Sequence, residues 1–222
     1  MDGNGRWAAM KGKPRIFGHN NAVKSVEEAI EASIEAGIPY LSLYAFSEEN
    51  WGRPADEVSG LMALLGSSID RELDRMIRND IRCIVLGNRQ RLPEKLQEAI
   101  SNAEKLTSGG KRLTLIVFLS YSGKWDILQA VRRIAAKAAE NPSVADDISM
   151  ETVAEHLVTA GIPDPDLIIR TSGEQRISNY LLWQGAYSEF YFTDTLWPDF
   201  RKEDFKKAIE EYSGRGRRYG KV

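Results

Sequence analysis

Apolar residues return along this chain with two alternating periods. In residues 20–36, Val23, Val26, Ile30 and Ile34 fall on one helical face, and Gly37 and Pro39 end the segment. A strand follows at 40–46 and runs into Ser47-Glu48-Glu49-Asn50-Trp51. Pro54 then opens a long helix to about residue 79, with Val58, Leu61, Met62, Leu65, Ile69, Leu73 and Met76 as its apolar stripe. The pattern continues as a strand at 81–86, a helix at 93–107, a strand at 113–119 and a helix at 124–140. Beyond a polar stretch, it predicts a helix at 149–160, a strand at 167–170, a short helix at 178–186, a strand at 189–193 and a helix at 202–213.

Strands that alternate with helices predict an α/β fold: a single domain over residues 1–222, with a mostly parallel central sheet flanked by helices. The near-continuous apolar run at 113–119 suits a strand covered on both faces. The glycine-rich and charged segment from residue 2 has no strand before it, so we expect a further first strand N-terminal to this sequence. Ligands of such sheets bind beyond the carboxyl ends of the strands, which directs attention to the loops that follow them.

Composition narrows the picture little. The chain is 42% hydrophobic and 28% charged, ordinary for a soluble globular protein, and its net charge of -2 gives no global attraction to nucleic acid or an anionic membrane. Anion recognition must therefore come from local arginines. No run approaches the ~20 apolar residues that span a bilayer, and no signal peptide is present. The single cysteine, Cys83, excludes an internal disulfide framework, lies in an apolar run and fits a reducing cytoplasm.

Several segments carry candidate chemistry. Asp2-Gly3-Asn4-Gly5-Arg6-Trp7 combines a carboxylate able to hold Mg²⁺, glycines that allow close backbone approach to phosphate, and a guanidinium fork. Asn-Gly alone is equally a solvated turn. Arg15 and His19 follow just before the predicted helix, where a helix N-terminus favours anions, although an isolated histidine is more often structural. Ser47, Glu48, Glu49, Asn50, Trp51 and Arg53 lie after a strand. Helix capping accounts for Pro54 there but not for Trp51 and Arg53. Arg170, Arg176, Ile177 and Ser178 lie in another loop after a strand, a second anion cradle or a charged loop with an N-cap serine. Glu189 opens the last strand as an exposed start or a metal partner for Asp2. A G-x-x-x-x-G-K-[ST] loop is absent, which counts against a P-loop nucleotide enzyme, and so are Cys/His metal clusters and D-D-x-x-D motifs.

Taken together, Asp2-Gly3-Asn4-Gly5-Arg6-Trp7-Ala8, Gly18-His19, the run 44–54, the run 169–184 and Glu189-Phe190-Tyr191-Phe192 resemble the cis-prenyltransferase family across essentially the whole chain. The sequence is most similar to bacterial members that make undecaprenyl diphosphate. The resemblance implies a homodimer that adds isopentenyl diphosphate to farnesyl diphosphate with Mg²⁺ as cofactor. Such an enzyme works in the cytoplasm, touching the membrane through its lipid product.

By the same resemblance Asp2 is the essential carboxylate and metal ligand. Gly3, Asn4, Gly5, Arg6, Arg15 and His19, with Trp7, surround the allylic diphosphate. Ser47, Glu48, Glu49, Asn50, Trp51 and Arg53 organise the space between substrates, with Asn50 at the proposed proton-acceptor position, although a neutral amide is a poor base. Arg170, Arg176 and Ser178, beside Ile177, hold isopentenyl diphosphate, and Glu189 matches the second acidic metal position. Arg218-Tyr219-Gly220 resembles a C-terminal segment that reaches the partner subunit. Leu61, Met62, Leu65, Ile69 and Leu115 are candidate walls for the growing chain, though ordinary core packing accounts for most of them equally well. A family member with a shorter or longer product, or a non-catalytic partner subunit, is the alternative.

Overall fold

The periodic segments do become helices and strands in the computed structural model, which describes residues 1–216. The order is α1 (Asn4–Met10), α2 (Arg15–Glu35), β1 (Tyr40–Ser47), α3 (Ala55–Arg78), β2 (Ile81–Leu86), α4 (Glu94–Thr107) and β3 (Leu113–Tyr121). It continues with α5 (Gly123–Glu140), α6 (Met150–His156), β4 (Leu167–Arg170), β5 (Glu189–Phe192) and α7 (Lys202–Ser213). Short 3-10 turns occupy Glu48–Gly52, Arg89–Arg91, Pro142–Ala145 and Trp197–Asp199. Arg218, Tyr219 and Gly220 lie outside the described residues.

All strand pairs are parallel, as expected, but they form two hydrogen-bonded groups rather than one five-stranded sheet. β3 lies between β1 and β2, and β4 pairs with β5. Alternating helices predict parallel strands; they do not specify which strand edges meet. One core nonetheless serves both groups. Phe46, Val85, Leu113 and Leu119 from the three-stranded sheet share it with Trp197, Phe200 and Phe205, and Ile169 of β4 packs against it. The outer edge of β2 is closed by side chains of α4: Cys83 N–H donates to Thr107 Oγ1 at 3.0 Å, and Val85 N–H to Glu104 Oε1 at 2.8 Å. These contacts satisfy edge groups that would otherwise template foreign strands. Burial pushes the Cys83 thiol up to about 12, an inert group as its surroundings suggested.

Local departures from expectation have local causes. Of the Asp-Gly-Asn-Gly segment, Asn4 and Gly5 open α1, and Gly3 precedes them as its N-cap in a left-handed conformation. The tight crossing of α1 on α2 depends on Gly18, where a Cβ would stand 1.9 Å from the Asn4 carbonyl oxygen. α2 starts at Arg15, so Arg15 and His19 are not ahead of the helix but in its first two turns, four residues apart on one face. The helix expected at 178–186 does not form, because Ser178, Asn179 and Leu181 all take left-handed backbone angles. α6 ends at His156, four residues short of expectation. Among the described residues no helix is long and apolar enough to cross a membrane.

Candidate active site

A cavity of about 750 Å³ opens between β1 and β4 and is rimmed by four segments distant in sequence. Asp2, Gly3, Asn4 and Gly5 come from the start of α1, Arg15 and His19 from α2, and Ser47, Asn50 and Arg53 from the turn after β1. Arg170, Arg176, Ile177 and Ser178 come from the loop after β4. The structure thus gathers thirteen of the nineteen residues singled out in the sequence: four, two, three and four from these segments.

Asp2 is held on both its main chain and its carboxylate. Its N–H donates to Thr171 Oγ1 at 2.9 Å, and the Thr171 hydroxyl donates back to the Asp2 carbonyl at 2.8 Å. Trp197 N–H reaches the same carbonyl at 2.9 Å. The carboxylate accepts from Gly3 N–H at 2.7 Å and from the Arg170 guanidinium at 2.9 Å. Burial alone would raise this carboxyl, but the Arg170 hydrogen bond, the Gly3 N–H and the Arg170 charge outweigh it and hold Asp2 below the usual range. Arg170 also donates to Ser178 Oγ at 2.7 Å and to the Arg176 carbonyl, so it ties the Asp2 segment to the whole loop after β4.

Arg15, whose guanidinium lies against Gly5, and Arg53 share one carboxylate that the motifs did not include. Glu57 Oε1 accepts from Arg15 at 3.2 Å and from Arg53 at 3.1 Å. Its only sequence signal is its place four residues after Arg53, the spacing of a helical ion pair. His19 lies among these charges. Burial first, then the charges of Arg53 and Arg15 against the opposing pull of Glu57, lower its pKa to about 4. It is a neutral imidazole near pH 7, and its buried Nε2 has no hydrogen-bond partner among the described residues.

Six candidates do not line the cavity. Arg6 turns to Ser172 and Glu174, and Trp7 stacks on Phe17. Glu48 and Trp51 engage Ser120 and Arg91, and Glu49 accepts from Asn179 Nδ2 at 2.7 Å. Glu189 lies opposite Leu167, whereas Arg170 lies opposite Phe192. Its backbone therefore sits three strand positions from that of Arg170, roughly 10 Å at ~3.3 Å per residue, and its carboxylate pairs with Arg215 at 3.0 Å. Its side chain does not line the cavity. Nor do the expected wall residues face the cavity: Leu61, Met62 and Leu115 are core, and Leu65 and Ile69 are partly buried against it.

Among the described residues no group of three His, Cys, Asp or Glu could hold a metal. Mg²⁺ does not need one, because it is commonly bound by one or two carboxylates with substrate phosphates and water completing its shell. The ionised Asp2 carboxylate on the cavity rim, beside a buried Asn4 Oδ1 that lacks a partner, fits that mode. Arg15, Arg53, Arg170 and Arg176 around one cavity fit a ligand with more than one phosphate group.

Comparison with known proteins identifies the family. A family model described as "Putative undecaprenyl diphosphate synthase" matches residues 1–220. The chain is 48% identical over 222 residues to an isoprenyl transferase of Porphyromonas gingivalis, covering 100% of this chain and 87% of that protein. It is 49% identical over 220 residues to the ditrans,polycis-undecaprenyl-diphosphate synthase ((2E,6E)-farnesyl-diphosphate specific) of Haemophilus influenzae, covering 99% and 92%. The crystal structure of lavandulyl diphosphate synthase from Lavandula x intermedia, in complex with dimethylallyl diphosphate, superposes with a TM-score of 0.96 at 37% identity. That match covers 100% of this chain and 95% of the other.

Proposed function

The chain belongs to the prenyltransferase family of the undecaprenyl diphosphate synthases, and from that premise we propose that it extends farnesyl diphosphate with isopentenyl diphosphate units in cis geometry. The product is a long polyprenyl diphosphate of the undecaprenyl type. The observation that carries this reading is the convergence of Asp2, the Arg15–His19–Arg53 group and the Arg170–Ser178 group on one cavity.

In each cycle the isopentenyl double bond attacks the allylic carbon, the allylic C–O bond breaks with loss of diphosphate, and a C2 proton leaves. Arg15 and Arg53, oriented by Glu57, are placed to take the charge that grows on the leaving diphosphate. Asp2 is the residue that would hold Mg²⁺, which would supply positive charge to neutralise the phosphates. Arg176 and Ser178 face the second diphosphate, and Arg170 fixes their loop. Asn50 spends its Oδ1 on Ser47 N–H at 3.1 Å, which leaves its amide N–H groups for the substrates. It is a donor that positions, and the departing proton goes to a phosphate oxygen or water.

The prenyl tail needs an apolar course. Between β1 and β4 it would bury strand-edge N–H and C=O groups without partners, a cost of roughly 1–3 kcal/mol each. The seam of α2 and α3 is better suited, where Val26, Ile30, Leu65, Ile69 and Leu73 are only partly buried. A homodimer in the cytoplasm, meeting the membrane through its lipid product, completes the proposal.

The test is incubation with farnesyl diphosphate, labelled isopentenyl diphosphate and Mg²⁺, with product sizing. Elongation is expected, with loss on chelation and recovery on adding Mg²⁺. Asp2→Ala should cut turnover by about 10²–10³-fold or more. An inactive wild type overturns the assignment, and an active Asp2→Ala overturns the role of Asp2.

A further inference from the structure

Resting on the prenyl-transfer reading, we infer that Ser120 and Arg91 are positioning residues that set the rotation of the turn at Glu48–Gly52 and thereby aim Asn50 and Arg53 at the substrates.

The argument starts from the pitch of the turn. A 3-10 helix has 3.0 residues per turn, so side chains three apart eclipse. This sorts the segment into three faces. Ser47, Asn50 and Arg53 form the face that lines the cavity. Glu48 and Trp51 form a second face that the cavity does not touch, and Glu49 begins the third, tied to Asn179. The acid Glu48 and the indole Trp51 are therefore anchors.

Their anchorage comes from two elements far away in sequence. Ser120 Oγ accepts the Trp51 indole N–H at 2.8 Å and donates to Glu48 Oε1. Arg91 pairs with Glu48 Oε2 at 2.6 Å, and its guanidinium lies 4.8 Å from the centre of the Trp51 ring. Trp51 is braced from the other side by the edge of Phe46, centroids 5.1 Å apart. Both oxygens of Glu48 and both the N–H and the π-face of Trp51 are thus engaged.

The scaffold behind Ser120 is specialised for this. The β1–β3 register passes from Phe46 opposite Leu119 to Ser47 opposite Tyr121, so Ser120 is an extra residue on β3. It is fully buried and adopts φ 51, a left-handed conformation that costs a non-glycine residue about 1–2 kcal/mol. Its carbonyl accepts Asn88 N–H at 2.9 Å, which joins it to the Arg89–Arg91 turn that carries Arg91. The junction depends on Gly87, at φ +134, where a Cβ would stand 1.9 Å from the Leu119 carbonyl oxygen. A strained serine at this point holds a hydroxyl that glycine, the residue best suited to the backbone angle, lacks.

That contrast supplies the test. Ser120→Gly relieves the backbone while removing the hydroxyl, and Arg91→Ala removes the clamp on Glu48. Both are expected to lower kcat by about 10- to 100-fold, the scale of an ångström-level misplacement, with the thermal midpoint of Ser120→Gly unchanged or raised. Because the residues act through the cavity face of the turn, either substitution should cost far less in an Asn50→Ala background than in the wild type. The Trp51 indole N–H resonance, identified by its loss in Trp51→Phe, should move in both variants whether or not turnover is measured. Wild-type kcat in both variants, additive losses with Asn50→Ala, or an unmoved Trp51 resonance would overturn the inference. Failure of the wild type to elongate would instead overturn the prenyl-transfer reading, and the resonance would still report on the anchor.

Discussion

His19 is surrounded by protein on most sides, with Arg15 and Arg53 nearby, and its imidazole loses its proton well below the usual range, at about 4 instead of 6.5. The unfolded chain binds that proton near pH 6.5 while the folded one does not until about pH 4. The contribution of His19 to stability is therefore complete above pH 6.5 and declines as the pH falls towards 4. Replacing it by glutamine should flatten the fall of the urea midpoint across that window. Parallel curves for the two proteins would show that His19 does not carry the effect. Asp2 shifts in the same direction from a different balance, since Arg170 and Gly3 N–H overcome its burial. The sequence displayed both residues, but not these environments, because Arg170 is 168 residues from Asp2 and Arg53 is 34 residues from His19.

The elements show where sequence patterns speak and where they stop. β2 and β3 were legible as apolar runs, and α3 from its stripe, because burial on one or both faces imposes a period. α1 was not, since its opening glycines and Asn4 favour turns, and its close crossing over Gly18 with burial of Trp7 and Ala8 stabilises a helix there. Gly18→Ala should therefore cost on the order of 1–3 kcal/mol or more, seen as a lower denaturant midpoint, and should weaken diphosphate binding as Asn4 and Gly5 are pushed from Arg15. The Glu48–Gly52 turn was visible as a motif, yet its division into anchor and ligand faces needed the three-residue pitch of the folded chain. α2 and α3 are clasped by Arg15–Glu57 near their starts and by Arg75 with Glu27 and Glu31 further along, which leaves their partly buried apolar residues between the two clasps. A tail running there meets Leu65, so Leu65→Trp should shorten the products, while Ile168→Trp on β4 should leave their length unchanged. The opposite result on product sizing would move the tail to the cavity between the strands.

At the scale of the whole molecule, the site exists only while four segments of the chain stay together. Asp2 is bound to the loop after β4 through Arg170 and Thr171, and the turn after β1 reaches that loop through Glu49 and Asn179. A ligand that contacts several of these segments binds the folded state alone and must raise its stability by mass action, by about 2.7 kcal/mol at a hundredfold excess over its Kd. For a chain of this length that corresponds to roughly 5–10 °C in Tm, at ~2–4 °C per kcal/mol. Farnesyl diphosphate with Mg²⁺ should produce such a shift in a thermal scan. Arg53→Ala, which removes one guanidinium from the cavity without touching Asp2, should reduce it at the same ligand concentration. Asp2→Ala should reduce it further, and chelation should then matter little, because the carboxylate proposed to hold Mg²⁺ is gone. If inorganic diphosphate gave the full shift without the prenyl tail, the apolar seam would contribute nothing to affinity, and the division of the ligand between a charged rim and a helical seam would have to be abandoned.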